Sequence, residues 1–181
     1  MRYQVTVSLT EEDYLAYNEF HAIESIPGQK TVKQSLRFFI TLMLVLIATI
    51  TIGCLFDVFS VTYPVALITL TALYVLFFKK IMRHAVKSQV KKLKKAGKLP
   101  FDATSTYEFY EDKLVENAQG SRIEQAYSRL ERICVLKERY ILLYNSSVGA
   151  YILPYGQLAD QVDIQEFLNF MIPKCKAVEY Y

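Results

Sequence analysis

Nine basic residues lie in the twenty positions from Lys79 to Lys98: Lys79, Lys80, Arg83, Lys87, Lys91, Lys92, Lys94, Lys95 and Lys98, with no acid among them. Clustered ammonium and guanidinium groups attract phosphate-like anions, so the chemistry on offer here is anion recognition rather than bond making. Residues that could make or break bonds are scattered. His21 and His84 are solitary, and Cys54, Cys134 and Cys175 show no CxxC spacing, which argues against a zinc site or a disulfide framework. No Ser/His/Asp or Cys/His set, glycine-rich phosphate loop or working carboxylate pair occurs. Glu111–Asp112 reads as a solvated turn. The chain is therefore expected not to be an enzyme, and to need no cofactor and no metal.

The bases take their position from the segment before them. Leu36 to Phe78 contains two apolar runs, 36–56 and 58–78, divided by Asp57. Each is about twenty residues, the length that crosses roughly 30 Å of hydrocarbon as a helix. Neither run carries an ionisable group in its interior, which removes the usual pointer to a proton relay or ion path and favours an anchor. Thr49 and Gly53 form a small-xxx-small pair, a candidate helix–helix contact. Both outer flanks are rich in Lys and Arg, whereas the loop at Asp57 has none. The positive-inside rule then places both termini in the cytoplasm and the Asp57 turn outside. Met1 opens a polar, alternating segment, so no cleavable signal peptide is expected.

The basic stretch 79–98 reads as an amphipathic juxtamembrane helix. Met82, Ala85, Val86, Gln89, Leu93 and Ala96 fall on one side, with the bases nearly opposite, and Gly97 and Pro100 end it. It is expected to serve as a positively charged stalk in which Lys79, Lys80, Arg83, Lys87, Lys91, Lys94, Lys95 and Lys98 contact anionic lipid headgroups. A basic patch beside a bilayer already has an abundant anionic partner and no nucleic-acid recognition fold accompanies it, so nucleic acid is not an expected partner.

The flanks are soluble in character. Residues 1–35 begin with Arg2–Leu9, whose Tyr3, Val5, Val7 and Leu9 alternate with polar residues as in a half-buried strand. Thr10 with Asp13 starts an amphipathic helix carrying Tyr14, Tyr17, Phe20 and Ile23, expected to end before a Pro27–Gly28 turn. A lone strand is not stable in water, so Arg2–Leu9 must join strands from beyond residue 100. Residues 99–181 supply them as six short segments: Thr104–Tyr110, Lys113–Asn117, Ser121–Tyr127, Leu130–Leu136, Tyr140–Tyr144 and Ala150–Leu153, with turns at Glu111–Asp112, Gln119–Gly120, Lys137–Arg139 and Asn145–Gly149. A final helix capped by Asp160 or Asp163 carries Ile164, Phe167, Leu168, Met171 and Ile172 and ends at Pro173. The expected fold class is an α+β membrane protein. It comprises a two-helix transmembrane hairpin plus a cytoplasmic antiparallel β meander with a C-terminal helix, pleckstrin-homology-like, which the N-terminal strand joins. Tyr107, Phe109, Tyr127, Tyr140, Tyr144 and Tyr151 are expected to fill the sheet core and its rim, with ligand stacking as the alternative.

The order of these parts, together with YEFYEDKLVE, RLERICVLKERYILLYNSSVGAYILPYGQL and the terminal helix, resembles the bacterial YcxB-like proteins along essentially the whole chain. Phe109–Leu114, Tyr127–Leu130, Tyr140–Tyr144 and Ala150–Pro154 carry the resemblance most specifically. The family pattern often has a basic residue directly after the proline, where this chain has Tyr155–Gly156. The resemblance implies a multi-pass protein of the bacterial inner (cytoplasmic) membrane with a cytoplasmic domain, and no particular reaction. The expected function is a membrane-anchored cytoplasmic interaction or sensing module without catalytic activity, touching the lipid bilayer and either a protein partner or a second copy of itself. The alternative is an accessory subunit of a membrane transporter or envelope complex.

Overall fold

The computed structural model describes residues 1–99, 104–118, 120–146 and 149–181. Pro100 as a helix stop, Gln119 of one expected turn and Ser147–Val148 of another lie outside them. The chain divides into two units: Met1–Tyr17 with Leu99–Tyr181, and Asn18–Lys98.

The first unit holds all the strands among the described residues. β1 (Tyr3–Ser8), β2 (Thr104–Phe109), β3 (Lys113–Ala118) and β4 (Ser121–Ala126) form one antiparallel sheet in that order. The alternation that marks β1 decides its register: Val5 faces Tyr107 and Val7 faces Ser105, with Val5 and Val7 buried. The N-terminal strand thus pairs with a strand about a hundred residues away. β5 (Arg132–Leu136), β6 (Tyr140–Tyr144) and β7 (Ala150–Pro154) form a second sheet, in which β8 (Val178–Tyr180) adds to β5 in parallel.

The six expected strands are all present, but not as one continuous meander. The chain leaves the first sheet through a single 3₁₀ turn at Tyr127–Arg129, where the Tyr127 hydroxyl donates to the Tyr110 carbonyl at 2.9 Å. Tyr127 and Leu130 are both buried there, so the apolar contacts of the crossing residues outweigh continued pairing. β8 was not legible, because three residues are too few for a period.

A common core lies between the sheets. Val5, Phe109 and Leu114 of the first sheet meet Ile133, Ile141, Leu143 and Leu153 of the second, and Phe167 and Met171 close it from the C-terminal helix. Phe109 and Phe167 meet edge to face at 4.9 Å, a geometry favoured by ring quadrupoles. That helix, Ile164–Met171, is capped by Asp163, whose carboxylate accepts from the Glu166 N–H at 2.8 Å.

The second unit is mostly two long helices, preceded by the end of α1 (Glu11–Glu19) and a π-helical turn, Phe20–Glu24. α2 spans Ile26–Leu55 and α3 spans Thr62–Lys95. The helical run from Glu11 ends before Pro27–Gly28, at Glu24, as expected, but the dipeptide expected as a turn instead opens α2. Ser25 is the N-cap, accepting from the Gly28 N–H at 3.0 Å, and a proline in the first turn loses no helical hydrogen bond. α3 runs through residue 79 without a break, so the apolar and basic stretches are one rod. It stops at Gly97, which takes φ +63° and lets the Lys98 N–H reach the Leu93 carbonyl at 3.0 Å, the Schellman closure.

Both helices are long and apolar enough to cross a membrane. They pack on each other through Phe39 and Tyr74, 4.1 Å between ring centroids. Outward-facing Phe38, Leu44, Leu55, Leu70 and Leu76 are each more than 60 % exposed. Apolar side chains are thus exposed along much of both helices.

Candidate functional site

In the helical unit, the basic ends of α2 and α3 come together. A groove of about 470 Å³ is lined by Val32, Lys33 and Leu36 of α2, Lys79 and Arg83 of α3, and Glu24. Helix periodicity places Lys79 and Arg83 four residues apart on one face, and Lys33 joins them from the other helix. Arg83 Nη2 lies 3.4 Å from Glu24 Oε1, with both side chains about half exposed. The groove therefore carries three bases and one acid. It can hold an anionic group whose tail lies along the apolar wall made by Val32 and Leu36.

The structure does not gather all eight predicted bases into one place. Lys79 and Arg83 line the groove, whereas Lys80 lies beside Phe77, Ile81 and His84. Lys87, Lys91, Lys94, Lys95 and Lys98 are strung along the exposed remainder of the rod. At about 1.5 Å per residue they reach some 25 Å beyond Lys79. Sequence reasoning did not place Lys33 in the set. The signal was present, since Lys33 and Lys79 both lie close to the ends of the two apolar runs.

The buried side of the rod also differs in detail from the wheel reading. Val90 is buried, whereas Gln89, Ala85 and Ala96 are exposed. Thr49 donates within its own helix to Val45 O at 2.9 Å. A Cβ at Gly53 would meet the Phe59 ring, with Cε2 at 2.8 Å, so the ring packs directly over this glycine.

The β unit carries two further polar features. On the second sheet, Arg132 and Glu179 are 12 % and 17 % exposed and 4.0 Å apart. The Arg132 guanidinium stacks 4.0 Å over Tyr144, and its Nε and Nη2 are buried without an acceptor. Glu179 Oε2 accepts from Tyr181 at 2.7 Å and from Cys134 Sγ at 3.4 Å. Burial, reinforced by Glu179, pushes the Cys134 thiol up to about 12, so it stays protonated at neutral pH.

The second feature is a cleft of about 410 Å³ between the two sheets, lined by Tyr14, Tyr17, Tyr107, Tyr151, Glu116 and Ile123 among others. Tyr107 donates to Glu116 Oε1 at 3.0 Å. Burial, and then Glu116, raise the Tyr107 hydroxyl far above its ordinary range, which keeps it a donor. Among the described residues, no group of three His, Cys, Asp or Glu side chains could hold a metal ion. The chain matches no family model, no curated protein and no solved structure.

Proposed function

We propose that the chain is a membrane-anchored interaction module of YcxB-like, pleckstrin-homology-like type, without catalytic activity, in the bacterial inner (cytoplasmic) membrane with both termini in the cytoplasm. The observation that carries this reading is the groove in which Lys33, Lys79 and Arg83 meet just beyond two exposed apolar helices. With α2 and α3 in a bilayer, Phe38 through Leu76 meet acyl chains and the three bases stand at headgroup depth. Each adds on the order of 1 kcal/mol against an anionic surface. The remaining lysines of α3 then extend into the cytoplasm. Two antiparallel sheets closed by a C-terminal helix support the pleckstrin-homology-like assignment of the β unit, with β8 as an addition to that plan.

The test is full-length protein in phosphatidylcholine bilayer discs containing a minority of phosphatidylglycerol, examined by native mass spectrometry. Phosphatidylglycerol is expected to be retained preferentially by the unmodified chain, and several-fold less by a K33Q/K79Q/R83Q variant. Equal retention of the two lipids would remove the headgroup reading. A reporter fused after Tyr181 and active only outside the cell would reverse the orientation.

A further inference from the structure

We propose that the tyrosine-lined cleft of the β unit binds a primary ammonium group, with the Glu116 carboxylate as its counter-ion. This deepens the interaction reading by naming a ligand class for the β unit. Glu116 sits on β3 at the register position facing Tyr107 on one side and Ile123 on the other, so its side chain shares the cleft with them. It is half-buried, and it accepts a hydrogen bond from a neutral phenol, Tyr107 at 3.0 Å. Among the described residues, no Lys, Arg or His lies within ion-pair distance of it. Three other carboxylates of the same unit each have a cation. Glu111 has Arg2 and Lys174, Glu124 has Lys113 and Arg122, and Glu179 has Arg132.

A carboxylate partly removed from water and left without a cation is unfavourable, and a ligand that supplies the charge relieves it. The walls suit the same ligand. Tyr107 and Tyr151 meet edge to face at 5.7 Å, and Tyr14 and Tyr17 stand together at 6.3 Å. Phenol faces attract cations within about 6 Å of the ring centroid. Gln125 and Asn145 also line the cleft and offer side-chain carbonyl oxygens to N–H donors, which favours a primary ammonium over a quaternary one. The surrounding charge agrees, since Met1–Tyr17 with Leu99–Tyr181 contains fifteen acids and nine bases. A volume of about 410 Å³ lies within the usual range for small-ligand sites. The amine could be free in solution or be the headgroup of phosphatidylethanolamine.

The experiment uses full-length protein labelled with 3-fluorotyrosine in discs of phosphatidylglycerol alone. Fluorine resonances of Tyr107 and Tyr151 are assigned through Tyr107→Phe and Tyr151→Phe. Titration with n-propylammonium is expected to shift both resonances saturably, n-propanol to shift neither, and Glu116→Gln to weaken the response at least tenfold. Glu116→Asp keeps the charge and is expected to retain saturable binding. A circular dichroism melt within a few degrees of the parent shows that a variant is folded. Discs containing phosphatidylethanolamine are the second arm: a shift before any amine is added assigns the headgroup as source, and a shift only on adding propylammonium assigns a free amine. Equal shifts with propanol and propylammonium, no shift with either, or undiminished binding by folded Glu116→Gln would overturn the proposal. Such failure is separable from that of the headgroup reading, because phosphatidylglycerol retention does not involve Glu116.

Discussion

Gln161 closes the outer edge of β1: its side-chain amide accepts from the Thr6 N–H at 2.8 Å and donates to the Thr6 carbonyl at 2.7 Å. Four residues earlier, Gln157 does the same for Ser8, at 2.8 and 2.9 Å. Two glutamines four residues apart thus replace a neighbouring strand, on an edge that would otherwise offer unpaired groups to another chain.

The double variant Gln157→Ala/Gln161→Ala removes the four hydrogen bonds to Thr6 and Ser8, backbone groups that water can still reach. It is expected to cost about 2 kcal/mol, at the low end per bond, and to promote self-association through β1. Thermal unfolding and light scattering after size exclusion read the two effects. A monomer with the parent's melting temperature would mean that water serves the edge as well as the amides do.

This edge illustrates what was and was not legible in the sequence. The alternation of Tyr3, Val5 and Val7 declared a half-buried strand, and the lack of any other strand before residue 100 dictated where its partner lay. The glutamines declared nothing, because a polar residue in the short segment after a strand has many uses and only the fold brings Gln157 to Ser8 and Gln161 to Thr6. The same holds for the candidate sites. The bases of α3 stood out as a charge run, whereas Glu116 became notable only when pairing set it beside Tyr107 and opposite the second sheet. Pro27–Gly28 was misread because the same dipeptide serves a turn and a helix start. The deciding group was the Ser25 hydroxyl two residues earlier.

Gly28 supplies a second prediction, in which the usual helix rule reverses sign. Alanine in a helix is ordinarily favoured over glycine by about 1 kcal/mol. A Cβ at Gly28, however, would press into the backbone of His21 and Ala22, with Ala22 C at 2.8 Å. Backbone cannot yield cheaply, so Gly28→Ala is expected to destabilise the helical unit by about 1–3 kcal/mol. Gly156→Ala is the control, since nothing lies within 4 Å of its Cβ position, and it is expected to be neutral or slightly stabilising. Hydrogen exchange of α2's first turns measures the difference, and equal protection in both variants would contradict the close approach.

Alkaline pH should weaken the β unit. Burial pushes the Cys134 thiol from 9.0 up to about 12, and burial followed by Tyr14 pushes the Tyr17 hydroxyl from 10.0 up to about 12. Between these values the unfolded chain has lost protons that the folded chain keeps, so stability is full below pH 9 and falls as pH rises from 9 to 12. Each group contributes a slope of about 1.4 kcal/mol per pH unit within its window. Burial also pushes the Cys175 thiol from 9.0 up to about 11, so Cys134→Ala is expected to remove about half of the slope just above pH 9, whatever it does to stability at neutral pH. Chemical denaturation at pH 8, 9.5 and 10.5 tests this, and an identical slope in the variant would exclude the thiol as its source.

The Arg132–Glu179 pair makes the last prediction. Both groups are largely buried, so removing one strands the other, which typically costs about 3–5 kcal/mol, whereas removing both costs less. Arg132→Met alone is expected to lose about 3 kcal/mol, because Glu179 would keep its bonds from Tyr181 and Cys134 but lose its only positive neighbour among the described residues. Adding Glu179→Gln preserves an acceptor for Tyr181 and should recover at least half of the loss. The double-mutant cycle isolates the coupling. If Glu179→Gln recovers nothing, the guanidinium is held by the Tyr144 ring beneath it at 4.0 Å rather than by the carboxylate at its side.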